Sequence, residues 1–406
     1  VKISEKVRRI YDRRPYPCGA QSLKHSGWAL ALDWVDAIGR NGAQVGKTPR
    51  VLVAGCGAGA EAFDLQRRLP SAEIVAVDFS SRSIALAKRL QRRSRKMSGI
   101  RFLTGDLGDR ELPARVGGEF DLITCHGVLS YIPGPSRVLK NLGRCLKPDG
   151  VLYLGVNGAA HVSTRIRHIL AIFGFDMNEY TEKSHMRDIV RLCDTVLSPE
   201  GLPSISGARA EFLSSDLFGP LIQNLTLARW AECARRGGLH FRGSLSSIRL
   251  IRLIAGNDLV PLLMPRSRAS AGILLEQIRP SQFHRLLFAR TSAPDPPWAS
   301  RGRLPEWRIK LTGLYRVRLP KPAPRMLDRL RKVTISSVTL KISSEWSMPE
   351  WEVELLRSGD GRHQVASLLR KMPLSVPFAD LRKQLFLLYQ LGIINLLHPG
   401  TAPGAY

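Results

Sequence analysis

Between residues 50 and 156, short apolar runs alternate with stretches whose apolar positions recur every three or four residues. The runs predict strands at 50–54, 73–78, 100–104, 120–125 and 150–156, and the periodic stretches predict helices that include 61–69, 84–90 and 138–146. The first run, Val51-Leu52-Val53-Ala54, has no polar alternation, as expected of a strand covered on both faces. The strand spacing leaves room for crossovers, so the pattern predicts a parallel, doubly wound α/β sheet.

Ahead of this region, Tyr11-Asp12-Arg13-Arg14-Pro15-Tyr16-Pro17 cannot be helical at its prolines, and Trp28, Leu32, Val35 and Ile38 give residues 26–38 a helical period. This leading segment is placed either to lie across a ligand pocket or to pack on the sheet edge. Beyond residue 157, helices at 162–173 and 183–197 form an insertion, after which a helix at 225–236 and a strand at 239–245 resume the sheet. Seven prolines between 294 and 324 make 291–325 read as a linker or irregular crossing. The tail reads as helical at 350–356, 364–369 and 378–397, with Gly359-Asp360-Gly361 as a turn.

The expected organisation is therefore a core at 1–157 completed by 221–247, a helical insertion at 158–220, and a middle domain with linker at 248–325. A small helical or winged-helix-like domain at 326–406 follows. In a chain of 406 residues each part can have its own core.

Composition changes this picture little. No apolar run approaches the length of a membrane span, and 248–264 and 386–397, interrupted by polar residues, read as core. Val1 to Glu5 show no signal-peptide core, and the chain begins without Met, so a short leader can precede it. Six cysteines show neither a C-x-x-C pair nor a metal-ligand spacing with the nine histidines, which predicts a reducing, cytoplasmic setting and no metal. The net charge of +27 reads first as an arginine-heavy composition that spreads positive charge over solvated faces, with acidic partners left open. Its clusters, Arg82 to Lys96 and Arg301 to Lys332, lack the interleaved aromatics of a single-strand surface, so nucleic acid is open but not favoured.

Candidate chemistry sits at the carboxyl ends of the predicted strands, where ligands bind in such sheets. Gly55-Cys56-Gly57-Ala58-Gly59 follows the first strand; the glycines fit a turn for S-adenosylmethionine, and Gly55-x-Gly57-x-x-Ala60 fits a dinucleotide fingerprint as well. Asp78, followed by Phe79, ends the second strand, where a carboxylate can accept both ribose hydroxyls of an adenosine. Asp106 and Leu107 follow the third and are placed to meet the adenine. His126 follows the fourth, as a base or as a ring lining the adenine, with the lining role favoured. Tyr131, Asn157 and Tyr16 are candidates for contact with the second reactant.

The order Val-Leu-x-x-Gly-Cys-Gly-x-Gly, Val-Asp-Phe-Ser, Gly-Asp-Leu, Phe-Asp-Leu-Ile and Leu-Lys-Pro-Asp-Gly resembles class I S-adenosylmethionine-dependent methyltransferases. Tyr-Pro near the N-terminus, His126-Gly127-Val128-x-Ser130-Tyr131-x-Pro133, Val156-Asn157 and Arg165-Ile166-Arg167 are similar to rickettsial-type protein lysine methyltransferases with a methyltransferase regulatory domain. So are Trp230-Ala231-Glu232-Cys233-Ala234 and Phe283-His284-Arg285-Leu286-Leu287. The likeness runs over residues 11–290. It implies a Rossmann-like seven-stranded methyltransferase sheet, with a helical insertion that serves dimerisation or substrate contact and a mainly helical C-terminal region.

The resemblance also implies S-adenosylmethionine as cofactor, held at Gly55, Cys56, Gly57, Gly59, Asp78, Phe79, Asp106, Leu107 and His126. A protein lysine is the implied acceptor, near His126, Tyr131, Asn157 and Tyr16. The chain departs from the pattern at Ala54, where many relatives place an acidic residue, at Tyr131 in place of Trp, and at His284 and Leu287-Phe288-Ala289. Protein methylation is the leading expectation. Methylation of a small molecule or nucleic acid, and a non-catalytic cofactor-binding scaffold, are the alternatives.

Overall fold

The computed structural model describes residues 3–13, 32, 35–39, 48–93, 97–174, 183–197, 213–244, 268–292, 304–312, 315–322, 330–337, 342–370 and 377–397. Tyr16 and residues 26–31, 33 and 34 of the helix expected at 26–38 lie outside them, while Val35–Gly39 is helical with Val35 and Ile38 buried. Helix α1 (Ile3–Arg13) opens the chain and stops ahead of Pro15.

Strand and helix then alternate: β1 (Arg50–Ala54), α2 (Ala60–Arg68), β2 (Glu73–Asp78), α3 (Ser81–Gln91), β3 (Ile100–Thr104), α4 (Leu112–Val116), β4 (Phe120–His126), α5 (Pro135–Cys145) and β5 (Leu146–Asn157). The insertion supplies α6 (Val162–Ile172) and α7 (Lys183–Leu197). After it come α8 (Leu227–Arg236), β6 (His240–Ser244), α9 (Arg268–Ile278) and β7 (Phe283–Ala289). The seven strands form one sheet in the order β3-β2-β1-β4-β5-β7-β6. β1 to β5 pair in parallel, as expected. The seventh strand is Phe283–Ala289, a stretch legible in the sequence only as a motif and lying beyond 221–247. Its run Leu286 to Ala289 is buried throughout, so no period-two alternation marks it as a strand.

Local chemistry explains the elements. Val51, Leu52, Val53 and Ala54 are all at most 1% exposed, so β1 is covered on both faces. Ser80 caps α3 by accepting the Ser83 N–H at 3.1 Å, and Thr226 caps α8 through the Arg229 N–H at 3.3 Å. At the amino ends of the strands, Arg50 bonds Glu73 at 3.0 Å and the Gly118 carbonyl at 2.7 Å. Asp121 accepts the Arg50 amide at 2.8 Å and pairs with Lys147 at 3.0 Å. These charges tie β2, β1, β4 and β5 together at the end where they begin, leaving the carboxyl ends for a site.

The chain divides into two compact units. One comprises Val1–Ala29, Lys47–His240 and Pro280–Arg285, and the other Leu30–Gly46, Phe241–Arg279 and Leu286–Tyr406. In the first, α6, α7 and residues 213–218 enclose a small apolar cluster of Ile166, Leu170, Ile189, Cys193, Leu213, Leu217 and Phe218.

In the second, β8 (Arg308–Leu311), β9 (Arg316–Arg318), β10 (Leu330–Ser337) and β11 (Ile342–Pro349) precede α10 (Glu350–Arg357), β12 (Asp360–Gln364), α11 (Val365–Leu369), α12 (Phe378–Gln390) and β13 (Ile394–Leu397). The strands form two sheets, β11-β10-β9 and β12-β8-β13, around a core that includes Trp307, Val333, Trp351, Leu385 and Phe386.

This mixed architecture corrects the expectation of a mainly helical C-terminal region. β8 and β9 also run through the stretch read as a linker, in the gap between Pro305 and Pro320 that leaves each strand proline-free. The helix expected over 378–397 ends at Gln390. Gly392, at φ 72°, reverses the chain, with Ile393 N–H on the Leu388 carbonyl and Gly392 N–H on the Tyr389 carbonyl. Those two bonds are a Schellman stop. Among the described residues no helix is long and apolar enough to cross a membrane.

Trp230, fully buried on α8, donates its indole N–H to the Asn157 carbonyl at 2.9 Å and so pins the carboxyl end of β5. Trp230→Phe keeps an apolar ring there and strands the carbonyl. It is expected to cost about 1–3 kcal/mol, measured as a lower unfolding midpoint in urea; an unchanged midpoint would rule out this anchor.

Candidate functional site

The turn after β1 is built by backbone geometry that side chains resist. Gly55, Gly57 and Gly59 adopt φ values of 78°, 52° and 90°. A Cβ on Gly55 would lie 2.4 Å from Val128 Cγ2, so that position has no room for one. The Gly55 and Cys56 amides bond the Val77 carbonyl at 2.7 and 3.0 Å, laying the turn across the end of β2. Asp78, the last residue of β2, completes the arrangement. Its carboxylate accepts the Gly57 N–H at 2.9 Å on one oxygen and the Ser80 N–H at 2.9 Å on the other. Burial raises its pKa, the bonds from Ser80 and Gly57 oppose that rise, and nearby Asp12 adds to it.

These groups open on a cavity of about 360 Å³. Gly55, Cys56, Gly57, Asp78 and Phe79 line it, as do Asp106, Leu107, His126, Tyr131 and Asn157. Ten of the twelve residues singled out in the sequence are thus brought together. Gly59 stands one step back as the N-cap of α2, where a Cβ would press on Phe63 and Phe102 at 3.0 and 3.1 Å; it shapes the turn without lining the cavity. Tyr16 lies outside the described residues. The segment that covers the cavity is α1: Val7 and Tyr11 line it, Tyr11 meets Phe79 edge-on at 5.8 Å, and Asp12 accepts the Ser80 hydroxyl at 2.7 Å.

Asp106 accepts the Gly108 N–H at 2.7 Å, and Asn141, buried on α5, donates to the Leu107 and Asp109 carbonyls at 3.0 and 2.9 Å. The loop after β3 is therefore fixed from below. His126 shares a hydrogen bond with the Tyr153 hydroxyl at 2.8 Å, stacks on that ring, and packs against Phe283 at 5.0 Å. Gly155 makes room, since a Cβ there would lie 2.4 Å from His126 Nδ1. Burial, with Arg285 adding to it, lowers the His126 pKa to about 3. A ring so reluctant to take a proton is suited to lining the cavity and poorly suited to general-base work.

Lining residues that the sequence reading did not single out include Glu61, Arg137, His161, Ser215 and Asp216. Glu61, in the first turn of α2, is 8% exposed, and its Oε1 is buried without a hydrogen-bond partner. Burial lifts its pKa to about 7, helped by Asp64 and opposed by Thr124. A charged residue on a helix's inward face was the available signal for Glu61.

Asp216 comes from the insertion, and no local pattern announces it. It accepts the Tyr131 hydroxyl on Oδ1 and the Ser215 hydroxyl on Oδ2 at 3.2 Å. Asn157 Nδ2 reaches the Tyr131 oxygen at 3.3 Å and Asn224 Oδ1 at 3.1 Å, while Ser130 accepts the Asn157 amide at 2.8 Å. The cavity thus joins a glycine turn with two strand-end carboxylates to a second polar wall drawn from β5, the turn after β4 and the insertion.

A methyltransferase domain model matches residues 52–152. An uncharacterized protein of Synechococcus sp. is 35% identical over 159 residues, 38% of this chain and 37% of its own. The ubiquinone biosynthesis O-methyltransferase of Pseudomonas paraeruginosa is 30% identical over 125 residues, 31% of this chain and 49% of its own. The chain thus spans between about a third and a half of the length of the curated relatives it matches. The structure of PKMT2 from Rickettsia typhi in complex with AdoHcy superposes with a TM-score of 0.54 at 15% identity, covering 92% of this chain and 77% of that one. With the strand order and the glycine turn above, these likenesses identify residues 52–152 as a methyltransferase domain on the class I S-adenosylmethionine-dependent methyltransferase fold.

Proposed function

We propose that this protein is an S-adenosylmethionine-dependent methyltransferase whose acceptor is a protein lysine side chain. The observation that carries the cofactor reading is the convergence of Gly57, Asp78, Asp106 and the buried Glu61 carboxyl on one cavity. The donor set fits the cofactor. Asp78 uses one lone pair of each oxygen on a backbone amide, which leaves acceptor capacity for two ribose hydroxyls. Asp106 and Leu107 border the same cavity for the adenine, with the neutral ring of His126 beside them. The glycine turn gives the methionyl part backbone to lie against, and Glu61 offers its unpartnered oxygen to an ammonium. Glu61 supplies, from α2, the acidic group that Ala54 does not, so Ala54 is no argument for a non-catalytic scaffold.

The cofactor, when bound, supplies a sulfonium methyl that passes to the acceptor nitrogen as its C–S bond breaks and the bond pair stays on sulfur. The chain's part is to hold both reactants in line and keep water out, for which Tyr11 and Val7 of α1 border the cavity. The lysine acceptor is supported by the motifs shared with the rickettsial-type enzymes and by a fold likeness to PKMT2 that runs over 92% of the chain. The O-methyltransferase relatives favour a second reading, a small-molecule acceptor.

Purified protein, methyl-labelled S-adenosylmethionine and a lysate of the source organism separate these readings. Label lost to protease and recovered on methyl-lysine is expected; label remaining in small molecules favours the second reading. Label released by nuclease overturns both.

Asp78→Asn should weaken S-adenosylmethionine binding at least ~30-fold, the equivalent of about 2 kcal/mol for hydrogen bonds to a charged group. Calorimetric titration with a circular-dichroism check on folding tests this, and unchanged affinity would discard Asp78 as the ribose seat.

Glu61 makes a prediction for the ligand-free protein. Its folded pKa of about 7 lies above the usual 4.5, so the folded state holds its proton more tightly than the unfolded state. That contribution is fully present below pH 4.5 and is lost as pH rises to about 7, up to about 3 kcal/mol. Glu61→Gln should remove this slope, making the variant more stable than the parent at pH 8 relative to pH 5 in urea unfolding. A parallel pH dependence in both proteins would contradict the assignment.

A further inference from the structure

Building on the methyl-transfer reading, we propose that Asp216, oriented by Tyr131 and Asn157, is the seat for the acceptor nitrogen and makes the cavity selective for an amine over an oxygen acid. The hydrogen bonds of this wall all run one way. Asn224 Nδ2 donates to Ser163 and Thr164 at 2.8 Å each, which turns its amide oxygen toward Asn157. Asn157 spends its amino group on Asn224 and on the Tyr131 oxygen. With its oxygen occupied by that donor, Tyr131 gives its proton to Asp216, as does Ser215. The donors of Asn157, Tyr131 and Ser215 are thereby consumed inside the wall, and such chains polarise one another.

What Asp216 keeps for the cavity is acceptor capacity, since each oxygen has a second lone pair. An ammonium meets opposite charge there; a carboxylate or phosphate finds like charge, and a neutral phenol such as catechol offers a hydroxyl proton but no ion pair. The nitrogen also becomes more positive as it takes the methyl group, and a carboxylate beside it favours that state more than the starting one. A lysine side chain ends in such a nitrogen, carried on an apolar stem.

The groups that touch Asp216 are Tyr131 from the turn after β4 and Ser215 from its own segment; Asn157 from β5 and Tyr11 from α1 act on Tyr131, and His161 lines the same cavity. Burial lifts the Asp216 pKa to about 6, with the hydrogen bonds from Tyr131 and Ser215 opposing the rise. At neutral pH it lies near its point of ionisation, and an ammonium beside it favours the carboxylate form. His161 accepts the Ser163 N–H on Nδ1, and burial lowers its pKa, so it adds no cation to the wall. Arg137, which does line the cavity, stands beside Gly108 and Asp106.

The test uses the full chain loaded with S-adenosylhomocysteine and two probes, n-butylammonium and catechol, titrated by NMR. The parent should bind n-butylammonium in preference to catechol. Asp216→Asn should weaken n-butylammonium at least ~10-fold, with S-adenosylhomocysteine affinity held within about twofold. Tyr131→Phe, which keeps the carboxylate and removes its donor, should give a smaller loss, so the seat can be judged even if one variant folds poorly. Transfer of labelled methyl to poly-L-lysine should fall in the same order. Preference for catechol, or n-butylammonium affinity unchanged in Asp216→Asn with S-adenosylhomocysteine still bound, overturns the seat alone. A parent that binds no S-adenosylhomocysteine overturns the methyl-transfer reading as well.

Discussion

The bond from the Gly57 amide to the Asp78 carboxylate is the constraint on which the candidate site depends. It joins the turn after β1 to the end of β2, and the second oxygen of the same carboxylate holds the Ser80 amide that starts the next crossover. Ser80 in turn caps α3 and donates to Asp12 of α1. One buried charge therefore sets the glycine turn, the first turn of a helix and the helix that borders the cavity. Such a charge is costly to bury unless its lone pairs are met. Two are met by backbone amides, and the capacity left over faces a cavity. A polar ligand there completes what the fold leaves half satisfied.

The ionisable groups around the cavity divide by environment. His126 is held neutral by burial, whereas Glu61 and Asp216 are lifted to about 7 and about 6 and lie near the point of ionisation at neutral pH. Perturbed groups of this kind gather where chemistry is done. The two carboxyls also have different origins: Glu61 comes from the crossover after the glycine turn, and Asp216 from the insertion. A carboxyl group at both places suits the proposed reaction, whose cofactor carries an ammonium and whose acceptor is itself an amine.

Legibility in the sequence followed the range of the interactions. Strands β1 to β5 were readable because each is a short apolar run beside a turn, and the glycine turn, Asp78 and Asp106 follow those runs directly. β7 was not readable as a strand, because Leu286 to Ala289 are buried on both faces and carry no alternation. The stop at Gly392 was hidden for another reason. Leu391 to Leu397 continue an apolar stretch, and only the positive φ of one glycine separates helix from strand. Ala54 drew attention to a missing acid, whereas the acid that does line the cavity, Glu61, stands seven positions on, brought back by the turn of α2. Asp216 was the hardest, since its place in the cavity depends on the small core formed by α6, α7 and residues 213–218.

That dependence bears on how the chain divides its labour. The carboxyl ends of β1, β2 and β3 supply the groups proposed for adenosine and methionine, and they sit on a sheet whose register is fixed by many ladder bonds. The wall that includes Asp216 rests on a handful of side-chain bonds and on Arg167, which reaches from α6 to the Gly219 carbonyl at 2.9 Å and holds the end of that segment. Changing the insertion would alter Asp216 and Ser215 while leaving Gly57 and Asp78 in place. On the proposed reading, cofactor recognition is thus a property of the sheet, and acceptor choice a property of what is inserted after it. Such a division makes the insertion the place to look for what distinguishes the acceptor of this chain.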